Sequence, residues 1–145
     1  MSHDARGAGF APLAPLVKPL GRRALCVALV AAALATPARA QKRQTVTVVL
    51  TEYRFIPAKL VFRVGRAYRL VLVNRGHELH EFTAPAFLSA VSITDPGVVT
   101  ADGSEIDVKP GTRRELLFRA TKPGRYPLRC ADHDWAGMIG EIVVE

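Results

Sequence analysis

Cys130-Ala131-Asp132-His133-Asp134-Trp135-Ala136-Gly137-Met138 places a thiol, an imidazole and a thioether within nine residues. Just before it, Lys122-Pro123-Gly124 marks a turn, and Arg125-Tyr126-Pro127-Leu128-Arg129 reads as a strand leading into Cys130. Just after it, Ile139-Gly140-Glu141-Ile142-Val143-Val144 reads as a second strand. The nine residues are therefore a loop between strands, and the rest of the chain has to provide the sheets that carry it.

Working back toward the N-terminus, the pattern stays β. Gln44 to Leu50 alternates and is β-branched, Lys59 to Val64 leads into Gly65-Arg66, and Ala67 to Val73 begins another strand. Asn74-Arg75-Gly76 is a turn signal, and Leu79 to Thr83 reads as the next strand. Glu105 to Val108 alternates, as does Arg113 to Ala120, with Arg114, Leu116 and Phe118 on one face. Pro85 to Val91 suggests a helical turn, and Ser92 to Ser104, with Asp95-Pro96-Gly97 and Asp102-Gly103, a long loop. Short strands divided by Gly, Pro and Asn at about 8–12-residue intervals predict an all-β domain, an antiparallel sandwich or barrel.

The first forty residues do not follow this pattern. Arg22-Arg23 is followed by the apolar run Ala24 to Ala35 and then by Ala38-Arg39-Ala40. A basic stretch, an apolar run of about 7–15 residues and an A-x-A site together make a secretory signal peptide. The run falls short of the ~20 residues that a membrane span requires. The Arg22-Arg23 pair is compatible with export of the folded protein, and Cys26 sits at the wrong end of the run for lipidation. The expected organisation is a signal peptide over 1–40, a single domain over 41–145, and a periplasmic location.

Removing the leader changes both charge and cysteine count. The full chain has 20 Lys/Arg and 13 Asp/Glu; Arg6, Lys18, Arg22, Arg23, Arg39 and Asp4 lie in the leader, leaving 15 and 12, a net of +3. With no basic block and no interleaving of aromatic and basic residues, nucleic-acid binding is not expected. One cysteine remains, Cys130. Exported domains usually pair their cysteines, so a lone one reads as an inert thiol, an intermolecular disulfide partner or a metal ligand.

Spacing favours the metal ligand. A redox-cycling copper prefers one thiolate, two imidazoles and a weak axial thioether. Cys130-x2-His133-x4-Met138 supplies three of these donors and lacks only a second imidazole. In Val73-Asn74-Arg75-Gly76-His77-Glu78-Leu79-His80-Glu81-Phe82, His80 is the candidate by its spacing from Asn74 and its place on a strand; His77 competes with it from the preceding loop. Met138 has an alternative reading as core packing ahead of the last strand. Trp135 reads equally as a shield or docking residue and as plain packing.

At these residues the chain resembles the cupredoxins of plastocyanin and pseudoazurin type. Gly124-x-Tyr126-x-Leu128-x-Cys130-x2-His133-x4-Met138-x-Gly140 resembles the family's ligand loop and its approach strand, and Val73-Asn74-x5-His80 the segment carrying its first histidine. Phe55-x-Pro57, Val64-Gly65 and His80-Glu81-Phe82 are similar to the small periplasmic cupredoxin-like proteins of bacteria. The resemblance spans Thr45 to Glu145. It implies a Greek-key β-sandwich, one copper per chain held by His80, Cys130, His133 and Met138, and a second histidine whose edge lies near the surface for electron exchange. Two departures stand out: Glu81 where the plastocyanin pattern has Asn tying the ligand loops together, and Asp132 where Pro often precedes the second histidine. Acids that approach the copper would favour its oxidised state.

Other chemistries fit less well. Structural zinc prefers four Cys/His ligands, a binuclear copper centre needs two cysteines in one loop, and multicopper oxidases need His-x-His pairs. No second constellation supports a cysteine-nucleophile enzyme, so the protein is not expected to be an enzyme. The expected function is one-electron transfer by a monomer, with a partner such as a cytochrome or oxidase. The alternative is a periplasmic copper carrier or copper-resistance protein that hands the metal on. The basic excess suggests an acidic partner. Export is expected to leave Gln41 at the N-terminus. Intact mass of the periplasmic protein checks this, and a mass that retains Cys26 would overturn both the cleavage site and the lone-thiol reading.

Overall fold

The computed structural model describes residues 42–145, so the expected signal peptide lies outside the described residues. In the longer strands buried residues alternate with more exposed ones, as the pleat requires. The strands are β1 (Gln44–Thr51), β2 (Arg54–Ile56), β3 (Lys59–Phe62), β4 (Ala67–Asn74), β5 (His80–Glu81), β6 (Val91–Ile93), β7 (Asp107–Val108), β8 (Arg113–Ala120), β9 (Gly124–Arg129) and β10 (Ile139–Val144). One short helix, α1 (Pro85–Ser89), begins at a proline, which suits a first helical position because no backbone N–H is needed there.

The strands build one sheet in the order β2-β1-β4-β8-β6 and a second in the order β3-β10-β9, with the pair β5-β7 beside them. From the first sheet Val48, Leu50, Tyr68, Leu70, Leu72, Leu116 and Phe118 point into the core, and from the second Leu60, Phe62, Leu128, Ile142 and Val144 meet them. This is a β-sandwich. The antiparallel expectation needs one correction: β1 pairs parallel with β4, and β3 parallel with β10. The chain passes from β1 into the second sheet at β3 and returns at β4, so β4 enters its sheet in the same direction as β1.

Two strands escaped the sequence pattern. β2 has three residues, too few for alternation to register, and β6 takes residues expected at the end of a helical turn and the start of a loop. The loop itself contains a 3-10 turn over Pro96–Val98, where the Asp95 side chain accepts the Gly97 N–H at 3.0 Å. The expected strand Leu79 to Thr83 is regular only over His80–Glu81.

The core is organised around aromatic rings. Phe62 lies 4.8 Å from Tyr68, 5.7 Å from Phe87 and 5.1 Å from Phe118, measured between ring centroids. Phe87 comes from α1, so the helix closes one side of the sandwich with its single aromatic side chain. Tyr68 remains satisfied while buried because its hydroxyl accepts the Arg63 N–H at 2.8 Å. Phe118 also packs on Tyr68 and Phe87, and Phe118→Ala is expected to destabilise the fold by about 3–5 kcal/mol, the usual range for emptying an aromatic core site. Chemical denaturation of the variant, with an unchanged denaturant slope, checks this.

Candidate metal centre

His80 reaches the interior because of Asn74, the last residue of β4. The buried Asn74 carboxamide donates to the Glu78 and Val108 carbonyls, both at 2.7 Å, and accepts the Gly76 N–H at 2.8 Å. A short amide that replaces absent ladder partners winds residues 75–79 into a compact loop. The loop delivers His80 to β5, where it pairs with Val108 of β7 and is fully buried.

The second segment is the connection of a hairpin. Ile139 of β10 stands opposite Arg129 of β9, so residues 130–138 form the loop between them. The Cys130 N–H donates to the Met138 carbonyl at 3.0 Å and closes the loop at its base. Within it, the His133 N–H donates to the Cys130 carbonyl at 3.2 Å and the Met138 N–H to the His133 carbonyl at 3.3 Å. A 3-10 turn over Asp134–Ala136 ends at Gly137 with φ of 85°, a left-handed conformation that glycine adopts without a Cβ clash. Outside, Arg129 pairs with Asp134 at 2.9 Å, and Trp135 Nε1–H donates to the Asp132 carbonyl at 2.8 Å.

The two segments are bound directly to each other. Thr83 and Arg129 exchange backbone hydrogen bonds at 3.0 and 3.2 Å. Glu81, buried beside His80, donates its backbone N–H to Cys130 Sγ at 3.4 Å. Its carboxylate accepts the Cys130 thiol proton at 2.9 Å and the Asp132 N–H at 3.3 Å. Glu81 thus joins the ligand loops itself, from the position where the resemblance led one to expect Asn.

His80, Cys130 and His133 are brought together. Cys130 Sγ lies 3.9 Å from His80 Nδ1 and 3.3 Å from His133 Nδ1, and the three donor atoms lie within 4.8 Å of one another. The two rings stand 5.0 Å apart at 70°, each with one nitrogen turned to the sulfur. A metal at about 2.0 Å from nitrogen and about 2.3 Å from sulfur separates trigonal N and S donors by about 3.7 Å. The two observed separations bracket that value, so one thiolate and two imidazoles fit one copper ion. Met138 is fully buried at the far end of the loop, where its backbone is tied to Cys130 and His133. His77, with its side chain 95% exposed, stays outside the cluster.

Burial sets the protonation of the donors. It pushes the Cys130 thiol up to about 12, with the Glu81 carboxylate beside it adding to the shift. Burial also lowers His80 below its ordinary value of 6.5, helped by the neighbouring His133 ring and opposed by Glu52, Glu81 and Glu78. His80 is therefore neutral near pH 7, the form with a free lone pair for a metal.

One expectation is corrected. The His133 edge is not open: its side chain is 12% exposed, its Nε2 lies 2.8 Å from Glu78 Oε2, and Tyr53 packs on the ring at 4.9 Å. Trp135, 77% exposed, lies 6.0 Å from Tyr53 and forms the outer layer at this end. Sequence reasoning missed Glu52, Tyr53 and Glu78. No spacing signal pointed to them, since they lie in loops and contribute no donor to the cluster. Of the two acids it did single out, Glu81 reaches the sulfur, while Asp132 takes part through its backbone N–H.

Comparison with known proteins agrees with this architecture. Auracyanin A, a "blue" copper protein from the green thermophilic photosynthetic bacterium Chloroflexus aurantiacus, aligns with a TM-score of 0.53 and 20% identity, over 72% of this chain and 100% of that one. Reduced auracyanin from Roseiflexus castenholzii gives 0.52 and 15% identity, over 70% of this chain and 97% of that one. The periplasmic domain of cytochrome oxidase subunit II of Bradyrhizobium japonicum gives 0.50 and 19% identity, over 70% and 83%. No curated protein sequence matches significantly. The sequence profile of the cupredoxin-like domain matches residues 24–144. With this sandwich and the match over most of its length, the chain belongs to the cupredoxin-like domain family.

Proposed function

We propose that this chain is an exported, mononuclear type 1 copper protein that carries single electrons, with His80, Cys130, His133 and Met138 as the copper ligands. The observation that carries the reading is the convergence of Cys130 Sγ, His80 Nδ1 and His133 Nδ1 within 4.8 Å, from two segments locked together by backbone hydrogen bonds. Bound copper would supply the one-electron couple. The chain's own contribution is to hold the thiol and the two imidazoles in place before any metal arrives, so that little has to move when the oxidation state changes. Met138, buried at the loop's end, would serve as the weak axial donor that tunes the potential.

The fold supports this reading, since a blue copper protein is among those that share it. Among the described residues no helix is long and apolar enough to cross a membrane. The expected leader over 1–40 places the domain 41–145 in the periplasm, where a redox partner such as a cytochrome or oxidase would meet it. A partner approaching the copper end meets Trp135 and Tyr53 before it reaches His133. The acids Glu52 and Glu78 stand at the two histidines, so the overall basic excess does not describe the charge beside them.

Cu(II)-loaded protein is expected to show intense visible absorption that Cys130→Ser abolishes and that His80→Ala weakens far more than His77→Ala. Colourless protein with full copper occupancy would overturn the type 1 assignment. Met138→Gln is expected to keep the copper and much of the colour while lowering the reduction potential. Voltammetry should give reversible one-electron cycling with copper retained in both states; release of Cu(I) to a weak competitor on reduction would favour the copper carrier instead.

The thiol offers a second test, in copper-free protein. A shift from 9.0 to about 12 lowers the thiolate fraction near pH 8 by about 1000-fold, because the raised value keeps the proton on sulfur. Alkylation of Cys130 by iodoacetamide at pH 8 is expected to be slower than that of a free cysteine by at least this factor, and to rise to the free-cysteine rate on unfolding.

A further inference from the structure

The side chain of Glu52 lies outside both ligand segments, in the turn between β1 and β2, yet it faces the back of His80. His80 Nε2 is the one buried side-chain nitrogen or oxygen among the described residues without a hydrogen-bond partner. The carboxylate oxygen Oε1 of Glu52 lies 3.9 Å from it. If His80 Nδ1 is to present its lone pair toward Cys130, the ring proton must sit on Nε2. A buried N–H with no acceptor carries its full desolvation cost, and metal-binding histidines commonly give this proton to a carboxylate.

Two features of the loop bring the carboxylate to this place. The His77 backbone N–H donates to Glu52 Oε1 and holds it against the loop. Gly76 leaves the opening: a Cβ there would stand 2.8 Å from the Glu52 carboxyl carbon and 2.9 Å from His80 Nε2. With a hydrogen atom in its place the two groups face each other without obstruction. Glu52 is 29% exposed, and a shift of about 1 Å would bring its carboxylate to hydrogen-bond length from His80 Nε2.

We infer that Glu52 is a positioning residue for the metal centre: it accepts the Nε2–H of His80, fixing the ring and its tautomer with Nδ1 toward Cys130, and Gly76 is glycine so that it can. This rests on the proposed role of His80 as a copper ligand, but its structural content can be read without copper.

The test uses histidine-labelled protein and four sequences: wild type, Glu52→Ala, Glu52→Gln and Gly76→Ala. In copper-free wild type, nitrogen-edited NMR is expected to show His80 as the Nε2–H tautomer, with a proton slow to exchange with water. Glu52→Ala and Gly76→Ala should speed that exchange or lose the signal, whereas Glu52→Gln, whose amide oxygen still accepts, should keep it. Cu(I) affinity should fall about 10–100-fold in Glu52→Ala and Gly76→Ala and stay within a few-fold of wild type in Glu52→Gln. A wild-type ring protonated at Nδ1, or an Nε2–H signal untouched in Glu52→Ala and Gly76→Ala, overturns the inference. The wild-type tautomer decides even if a variant fails to fold. Wild-type protein that binds no copper overturns the proposed function instead and leaves the tautomer result to stand or fall independently.

Discussion

The centre depends on holding two segments about fifty residues apart in sequence at a separation of a few ångströms. A flexible chain would pay loop-closure and side-chain ordering entropy each time the donors met. Here the meeting is built into the chain: Thr83 and Arg129 bond to each other through their backbones, and two residues before Thr83 the Glu81 carboxylate accepts the N–H of Asp132, three residues after Arg129. The sandwich supplies what this bridge requires. β9 is held by β10, β10 by β3, and β5 by β7, so each partner of the bridge is anchored on its far side.

This arrangement leaves Cys130 in a particular state without metal. Its sulfur is fully buried, accepts the Glu81 N–H, and donates its S–H hydrogen bond to the Glu81 carboxylate. Binding a metal would require that proton to leave the sulfur, and with it the hydrogen bond of 2.9 Å to Glu81. The Glu81 carboxylate would then face a sulfur whose charge the bound cation largely offsets. An Asn at this position, as in the plastocyanin pattern, would bring no carboxylate charge to the sulfur. The substitution therefore changes the chemistry of loading as well as the field around the sulfur.

Sequence revealed those parts of the molecule in which residue type and spacing carry the physics. Cys130, His133 and Met138 stand out because three uncommon donors share one short loop, and His80 because Asn74 precedes it at a fixed distance. The structure shows why that distance matters: the Asn74 side chain is the spool on which the intervening loop is wound. β1, β4 and β8 were legible from alternation over eight residues each. The parallel pairings were not, because alternation reports which face a residue occupies and says nothing of strand direction. The cover on His133 was also out of reach, since Tyr53 and Glu78 come to it from separate loops and neither follows a period.

Taken together, the three central donors each face a carboxylate: Glu81 at the sulfur, Glu78 at His133 Nε2, and Glu52 at His80 Nε2. Because three acids contribute, no single substitution removes every carboxylate beside the donors. Charge of this sign next to a metal stabilises its higher oxidation state and makes imidazole ligands better donors. The burial that favours a soft, reducible copper and the carboxylates that favour Cu(II) therefore oppose each other across the same few ångströms. Glu78 and Glu52 are partly exposed, and water weakens their effect, whereas Glu81 is buried against the sulfur, where solvent screening is least. Glu81 is thus the residue that most separates this centre from a cupredoxin with Asn in its place.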